Sequence, residues 1–266
     1  MSVARNWTLV TGASSGIGAA LARAFAAQGH ALVLTARRAE RLKALADELS
    51  DLVAVAVIPA DLSDPAAPDR LLDAVEARGI VLHTLVNNAG FGMRGRFATL
   101  PADGLMEMVA VNVAAPTALA RRVLPGLIAR GEGGILNVAS VGAYLPGPKT
   151  AAYYASKAYL LSLSEALFEE ARPHGVTVTA LCPGVTDTEF PARADQEGTK
   201  LFKGRGMTAE AVARIGLDAY RRGEAVVVPG AGNRAMVAGL RLLPRWLSRK
   251  IAGRMQSVSG SSPVQR

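Results

Sequence analysis

Cysteine is almost absent from this 266-residue sequence, and so are long apolar runs. Cys182 is the only cysteine, so no disulfide can form within the chain, which fits a reducing compartment. No run of about 18 uncharged apolar residues occurs, and Met1 to Asn6 lead straight into a strand without the apolar core of a signal peptide. These absences exclude a disulfide-stabilised scaffold and a membrane-spanning helix, and they predict a cytoplasmic protein.

Acidic residues are missing from the C-terminal part of the chain. The net charge is +8, and from Arg234 onwards there are seven basic residues and no acidic ones. Such a surface could attract nucleic acid, anionic lipid or anionic substrates, but no reading helix or aromatic platform accompanies it, so nucleic acid is not expected. Met236 to Met255 alternate apolar and basic residues at helical spacing. This segment could lie on an anionic membrane, although such segments more often pack on their own domain or on a partner subunit.

Histidine is also scarce, and no linker or internal repeat divides the chain. His30, His83 and His174 are scattered, and no cluster of metal ligands is visible, so no metal site is expected. Half of the residues are apolar, which is ample for a buried core. We therefore expect one domain over residues 1–266: a core at 1–232, a basic amphipathic extension at 233–256 and a disordered tail at 257–266.

A glycine-rich loop joins the first predicted strand to the first predicted helix. The apolar run Trp7–Thr11 leads into Gly12-Ala-Ser-Ser-Gly-Ile-Gly18, and a helix is predicted from about Ala19 to Gln28. Glycines let the backbone approach a pyrophosphate, and the helix N-terminus supplies free N–H groups. The hydroxyls of Ser14 and Ser15 can add donors. This arrangement is typical of the opening of a nucleotide-binding βαβ unit.

The second predicted strand ends in two arginines where many dinucleotide sites have an acid. The strand Ala31–Ala36 is an almost continuous apolar run, as expected for a parallel strand covered on both faces, and Arg37 and Arg38 follow it. An acid there holds ribose hydroxyls, whereas an arginine accepts a 2′-phosphate. The alternative is a basic start to the helix Glu40–Leu49, but cations are not favoured at a helix N-terminus. The charge therefore predicts NADP(H).

Polar residues follow or interrupt three other apolar segments. Asp61 and Leu62 follow the third strand, where the acid could accept from an adenine amino group or cap the next helix. Asn88 follows the fourth strand within Asn-Asn-Ala-Gly, where it could instead brace the turn. Asn112 lies within a long predicted helix, Ala102–Arg130, so it is expected to be buried and to bind backbone or join a proton relay.

The stretch from Ser140 to Lys157 carries the candidate chemistry. Tyr153 and Lys157 are four residues apart in a predicted helix, Ala151–Glu170, so they share one face. The ammonium favours phenolate over phenol, which predicts a lowered pKa of Tyr153, nearer the range of a general acid–base. Ser140 ends a strand-like run, where a hydroxyl can hold a substrate oxygen. A Tyr and a Lys at helical spacing are common, so the pair indicates a catalytic site only together with the other motifs of the chain.

The alternation of apolar runs with helical patterns predicts the fold class, which is α/β. We expect a Rossmann-type doubly wound parallel sheet of about seven strands, with helices on both faces. Ligands of such sheets bind at the carboxyl ends of the strands, where Pro183, Gly184, Thr186 and Thr188 follow the sixth strand. The weakly periodic segment from Phe190 to Gly206 is interpreted as a substrate lid.

Together these motifs resemble the short-chain dehydrogenase/reductase family over about residues 6 to 230. The resemblance rests on TGxxxGxG at Thr11–Gly18, Asn-Asn-Ala-Gly at Asn87–Gly90, Asn112, Ser140, YxxxK at Tyr153–Lys157, and Pro183-Gly184. The spacing of the first two glycines is similar to that of the single-domain branch. The resemblance implies hydride transfer between NADP(H) and a carbonyl compound or secondary alcohol. It also implies a homodimer or homotetramer built through helices such as Ala102–Arg130 and Ala151–Arg172.

The resemblance also implies a role for each matching residue. Tyr153 would be the general acid–base, Lys157 would lower its pKa and bind the nicotinamide ribose, and Ser140 would hold the carbonyl oxygen. Asn112 would hold a water that links Lys157 to solvent. The implied cofactor-binding residues are Gly12, Ser14, Ser15, Gly16, Ile17, Gly18, Arg37, Arg38, Asp61, Leu62, Asn88, Ala89, Gly90, Tyr153, Lys157, Pro183, Gly184, Thr186 and Thr188.

Two functions of different classes remain open at this point. One is an NADP(H)-dependent oxidoreductase, and the other is an NADP(H)-binding regulator that senses redox state on the same fold without turnover. A sensor has no need of Asn112, Ser140, Tyr153 and Lys157 together. The complete set therefore favours the enzyme.

Overall fold

The structure is a computed structural model that describes residues 6–188 and 206–255, and it is organised around parallel strands. The strands are β1 Trp7–Thr11, β2 Ala31–Thr35, β3 Val55–Val57, β4 Leu82–Asn87, β5 Gly134–Val138, β6 Thr177–Leu181, β7 Thr186–Asp187, β8 Met207–Thr208 and β9 Val226–Val227. Seven of them form a parallel sheet in the order β3-β2-β1-β4-β5-β6-β9, and β7 pairs with β8 separately. The predicted doubly wound sheet is confirmed.

Helices cover both faces of this sheet. They are α1 Gly16–Ala26, α2 Ala39–Leu49, α3 Ala67–Glu76, α4 Ala102–Val109, α5 Ala115–Arg130, α6 Ala151–Ala171, α7 Ala209–Arg221, α8 Ala231–Leu242 and α9 Arg245–Met255. Successive residues of a strand point to opposite faces, so Val10 packs with Phe25 of α1 while Leu9 packs with Leu119 of α5. Burial on both faces explains why the strands are continuous apolar runs.

The chain order of the strands creates a crevice above β1 and β4. From β1 the chain winds outward through β2 to β3 and then returns to β4 on the other side of β1. The loops that follow β1 and β4 therefore diverge at the carboxyl edge of the sheet. This switch point places the glycine loop after Thr11 opposite the segment Asn88–Phe91.

Two helices differ from their predicted form. Helix α1 begins at Gly16, earlier than expected, and places Gly18 in its first turn, where a side chain would overlap the Gly12 carbonyl and the Asn88 amide. The long helix predicted over Ala102–Arg130 is divided by a π-helical turn at Ala110–Ala114. Such wider turns are frequent at functional sites, and this one carries Asn112.

The basic C-terminal segment packs on its own domain, which is one of the alternatives left open by the sequence. Leu240 of α8 and Ala252 of α9 join an apolar cluster with Leu145 and Tyr154. Trp246 remains 54% exposed on the outer side of α9. Among the described residues, no helix is long and apolar enough to cross a membrane. The predicted lid, apart from Gly206, and the predicted tail at 257–266 lie outside the described residues.

Candidate active site

One cavity of about 640 Å³ runs along the carboxyl edge of the sheet and gathers most of the predicted site residues. Gly18 and Asn112 do not line it but lie directly behind its wall, in α1 and in the π turn. The predicted residues that line it are Gly12, Ser14, Ser15, Gly16, Ile17, Arg37, Arg38, Asp61, Leu62, Asn88, Ala89, Gly90, Ser140, Tyr153, Lys157, Pro183, Gly184, Thr186 and Thr188.

The glycine loop is held in place by the segment after β4. Gly12 and Gly16 have φ angles of +65° and +55°, a conformation that side chains disfavour. The Asn88 side-chain amide donates to the carbonyls of Thr11 and Gly12, at 2.8 and 3.3 Å. The Thr11 hydroxyl accepts from the backbone N–H groups of Asn88 and Ala89. Asn88 is thus a structural brace as well as a cavity residue, and the fixed loop presents the N-terminus of α1 to an anion.

The two arginines after β2 lie in different surroundings. Arg38 lies against the glycine loop, where its guanidinium donates to Ser14 Oγ at 3.1–3.2 Å and to Ser15 Oγ at 2.7 Å. Arg37 points to α4, where its Nη1 donates to Glu107 Oε1 at 3.0 Å. Both side chains line the same end of the cavity and give it positive charge. An anionic group is the ligand that such an end favours.

Asp61 caps a local turn at the same end of the cavity. Its Oδ1 accepts from the backbone N–H of Ser63 at 3.1 Å and from the Ser63 hydroxyl at 2.8 Å. Partial burial tends to raise the pKa of Asp61, but the two hydrogen bonds and the charge of Arg37 together lower it. The carboxylate is therefore ionised at neutral pH and can accept further hydrogen bonds.

Asn112 ties the floor of the cavity together through its side chain. Its Nδ2 donates to the Phe91 carbonyl at 2.9 Å and to Ser156 Oγ at 3.1 Å, and its Oδ1 accepts from the Phe91 N–H at 3.1 Å. The expected backbone partner is thus Phe91, in the segment after β4. These bonds fix that segment to α6, on which the candidate catalytic side chains lie.

Ser140, Tyr153 and Lys157 meet at the other end of the cavity. Ser140 follows β5 in an extended conformation, and its Oγ accepts from the Gly142 N–H at 3.0 Å and forms a hydrogen bond with Tyr153. Tyr153 and Lys157 lie one turn apart on α6, and both are buried. Lys157 Nζ donates to the Val138 carbonyl at 2.8 Å and lies 5.9 Å from the centre of the Tyr153 ring.

The expected lowering of the tyrosine pKa is not found in the chain alone. Burial raises the pKa of Tyr153 above its ordinary value, and the hydrogen bond with Ser140 only partly offsets this effect. Burial also lowers the pKa of Lys157 from 10.5 to about 8. The physical reason is that Lys157 Nζ binds a main-chain carbonyl, so its charge does not stabilise a phenolate enough to overcome desolvation.

Three residues to which the sequence assigned no role in the site also line this end. Asn233 and Met236 come from α8, in the segment predicted to be an extension, and Tyr154 follows Tyr153 on α6. Asn233 Nδ2 donates to the Pro229 carbonyl at 2.8 Å, and its side chain occupies the space that a side chain at Gly184 would need. No sequence signal marks Asn233 and Met236, because their place in the cavity depends on how α8 packs against the turn Val141–Tyr144.

Among the described residues, no group of three His, Cys, Asp or Glu side chains could hold a metal ion. The cavity thus forms one groove. Arg37 and Arg38 lie at its anion-favouring end, the glycine loop lies along it, and Ser140, Tyr153 and Lys157 lie at its other end.

Comparisons with known proteins identify the family. A family model described as short chain dehydrogenase matches residues 6–198. Sulfoacetaldehyde reductase from Chromohalobacter salexigens is 38% identical over 211 residues, covering 77% of this chain and 83% of that protein. A short-chain dehydrogenase from Sphingobium yanoikuyae, solved in complex with NADPH, is 33% identical with a TM-score of 0.79 over 98% of both chains. A bulky-bulky ketone specific alcohol dehydrogenase from Comamonas testosteroni is 31% identical, with a TM-score of 0.76 over 90% of this chain and 93% of that one. The chain therefore belongs to the short-chain dehydrogenase/reductase family.

Proposed function

We propose that this oxidoreductase uses NADP(H) to interconvert a carbonyl compound and an alcohol, with Tyr153 as the general acid–base. The proposal is carried by one observation: a single groove joins two arginines and a glycine loop to Ser140, Tyr153 and Lys157. Members of this family act on carbonyl or alcohol groups; the preference for NADP(H) and the role of Tyr153 are the parts that we add.

The residues of the groove fit a dinucleotide that bears a 2′-phosphate. The glycine loop offers backbone N–H groups to the pyrophosphate, and Arg38 already lies on its two serine hydroxyls. Arg37 lies beside Arg38, while Asp61 and Leu62 would border the adenine. An arginine fork matches a phosphate in geometry as well as charge, which supports NADP(H) over NAD(H).

At the end of the groove formed by Ser140, Tyr153 and Lys157, each side chain would have a different role in proton transfer. The nicotinamide, when bound, supplies or accepts the hydride. Ser140 Oγ would hold the substrate oxygen and stabilise its developing charge. Tyr153 Oη would donate its proton to that oxygen during reduction and remove it during oxidation. Lys157, turned from the Val138 carbonyl toward the groove, would lower the pKa of the phenol and hold the nicotinamide ribose.

The first test is a fluorescence titration of the protein with NADPH and with NADH. We expect NADPH to bind at least about tenfold more tightly, because a charge-assisted hydrogen bond from an arginine contributes about 1.5–3 kcal/mol. Arg38→Gln should weaken NADPH binding about tenfold and change NADH binding less than about twofold. Arg41→Gln, which removes an exposed charge from α2 just after Arg38, is the control. If Arg38→Gln weakens the binding of both nucleotides equally, the proposed role of Arg38 is wrong. If the unaltered protein binds neither nucleotide, the proposed oxidoreductase function is wrong.

Two surfaces support proposals about partners. Met106, Val109 and Tyr159 expose apolar area on α4 and α6, the helices through which we propose that the chain forms a homodimer or homotetramer. On α9, Trp246 is exposed and Lys250 Nζ lies 5.4 Å from the centre of its ring. Because no acidic residue follows Glu224, we propose that this face can also contact an anionic membrane surface.

Sedimentation velocity can test both partner proposals in one series. Without lipid, the mass should be two or four times 27.6 kDa, whereas a 27.6 kDa species would contradict self-association. With vesicles of neutral and anionic lipid, part of the protein should sediment with the anionic vesicles only, and less so at higher salt. Trp246→Ala should reduce this fraction. If the protein ignores both kinds of vesicle, the membrane proposal is wrong.

A further inference from the structure

The ion pair between Arg37 and Glu107 lies beside the anion-favouring end of the groove, which Arg37 lines. Arg37 follows β2, whereas Glu107 lies on α4, seventy positions later in the chain, and their side chains meet at 3.0 Å. Val111, one turn after Glu107 on the same side of the helix, lines the groove. The pair therefore belongs to the wall of the nucleotide site and is not a remote surface contact.

Arg37 is flanked by two acids, and Arg38 donates to the glycine loop. Glu107 binds Arg37 directly, and the charge of Arg37 also contributes to the lowered pKa of Asp61. The Arg38 guanidinium donates to Ser14 and Ser15. A 2′-phosphate carries between one and two negative charges at neutral pH. To reach Arg37 it must displace the Glu107 carboxylate or share the guanidinium with it, close to a second acid.

We propose that Glu107 is a specificity-determining residue that competes with the 2′-phosphate of NADP(H) for Arg37 and so limits the preference for NADPH over NADH. This inference rests on the proposed function. The ribose hydroxyls of NADH carry no charge, so they do not displace Glu107 from Arg37. The penalty therefore applies to the phosphate alone.

The size of the effect follows from the exposure of the pair. Both side chains are partly exposed, at 50% for Arg37 and 39% for Glu107, so solvent screens their attraction. Exposed pairs of this kind contribute at most about 1 kcal/mol, so we expect the competition to change NADPH affinity by about three- to fivefold. Because screening increases with ionic strength, the effect should shrink as salt is added.

Glu107→Gln tests the inference by calorimetric titration with NADPH, NADH and 2′,5′-ADP, a fragment that carries the 2′-phosphate without the nicotinamide. We expect NADPH and 2′,5′-ADP to bind about three- to fivefold more tightly, and NADH affinity to change by less than about twofold. Asp103→Asn is the matched control, since it removes the same charge from an exposed position on α4. It should leave all three affinities within about twofold.

A double variant separates competition from general repulsion. In an Arg37→Gln background, Glu107→Gln should lose its effect on 2′,5′-ADP, because there is no guanidinium left to release. A gain that persists there, equal gains for NADPH and NADH, or weaker NADPH binding would each overturn the inference. If the unaltered protein discriminates strongly between NADPH and NADH while Glu107→Gln changes nothing, only this inference fails. If the unaltered protein binds neither nucleotide, the proposed function fails with it.

Discussion

Replacing Tyr153 by Phe should lower kcat for carbonyl reduction by about a thousandfold, while the affinity for NADPH stays within about threefold. The substitution removes one hydroxyl and nothing else. The ring is buried, lies edge-on to the Tyr154 ring at 5.9 Å and packs in the same apolar cluster as Leu145, so Phe can keep these contacts. Steady-state kinetics with a reactive ketone, together with a nucleotide titration, separate the lost proton donor from lost binding.

Tyr220→Phe is the matched control for this experiment. Tyr220 is a buried tyrosine of α7 whose Oη bonds Thr84 Oγ1 at 3.0 Å, and neither residue lines the groove. Loss of this hydrogen bond should lower the free energy of unfolding by about 1 kcal/mol and leave kcat within about twofold. A Tyr153→Phe variant that keeps more than about a tenth of kcat would place the acid elsewhere. A protein that binds NADPH yet reduces no carbonyl compound would favour the redox-sensing regulator.

The sequence was most informative where function depends on a short local pattern. The glycine loop and the Tyr153–Lys157 spacing could be predicted because each lies within a few residues of one element boundary. The sheet could be predicted because its strands are buried on both faces and their apolar runs are nearly uninterrupted. In these places, local propensity and tertiary packing agree.

Residues brought together by packing between distant elements could not be predicted. Glu107 meets Arg37 only because the fold brings α4 to the end of β2, and Asn233 meets Gly184 only because the fold brings α8 to the turn that follows β6. The pKa of Tyr153 is a similar case. Helical spacing places Lys157 on the correct side of α6, but the position of Nζ is decided by the Val138 carbonyl of β5.

Replacing Lys157 by Met should lower kcat about a hundredfold and, at pH 7, make the protein more stable. Lys157 is 5% exposed, and burial lowers its pKa from 10.5 to about 8, so the protonated amine is held in an unfavourable environment. That shift means that the buried ammonium destabilises the folded state by about 3 kcal/mol, which the variant would recover. The variant also loses the hydrogen bond to the Val138 carbonyl, and this loss offsets about half of the gain. A net gain of about 1–2 kcal/mol should appear as a higher Tm, because Met fills the same space without charge.

The stability gained by Lys157→Met should depend on pH. The folded pKa of Lys157 is depressed, so between pH 8 and 10.5 the unfolded chain binds more protons and the stability conferred by this site rises with pH. The advantage of Lys157→Met should therefore be complete below pH 8 and shrink as the pH rises through that window. Lys43→Met, at an exposed position of α2, should show neither the gain nor the pH dependence. A Lys157→Met protein that is less stable at pH 7 would mean that the buried ammonium stabilises the fold. A loss of activity together with a gain of stability would mean that the site keeps its charge for chemistry at the expense of the fold.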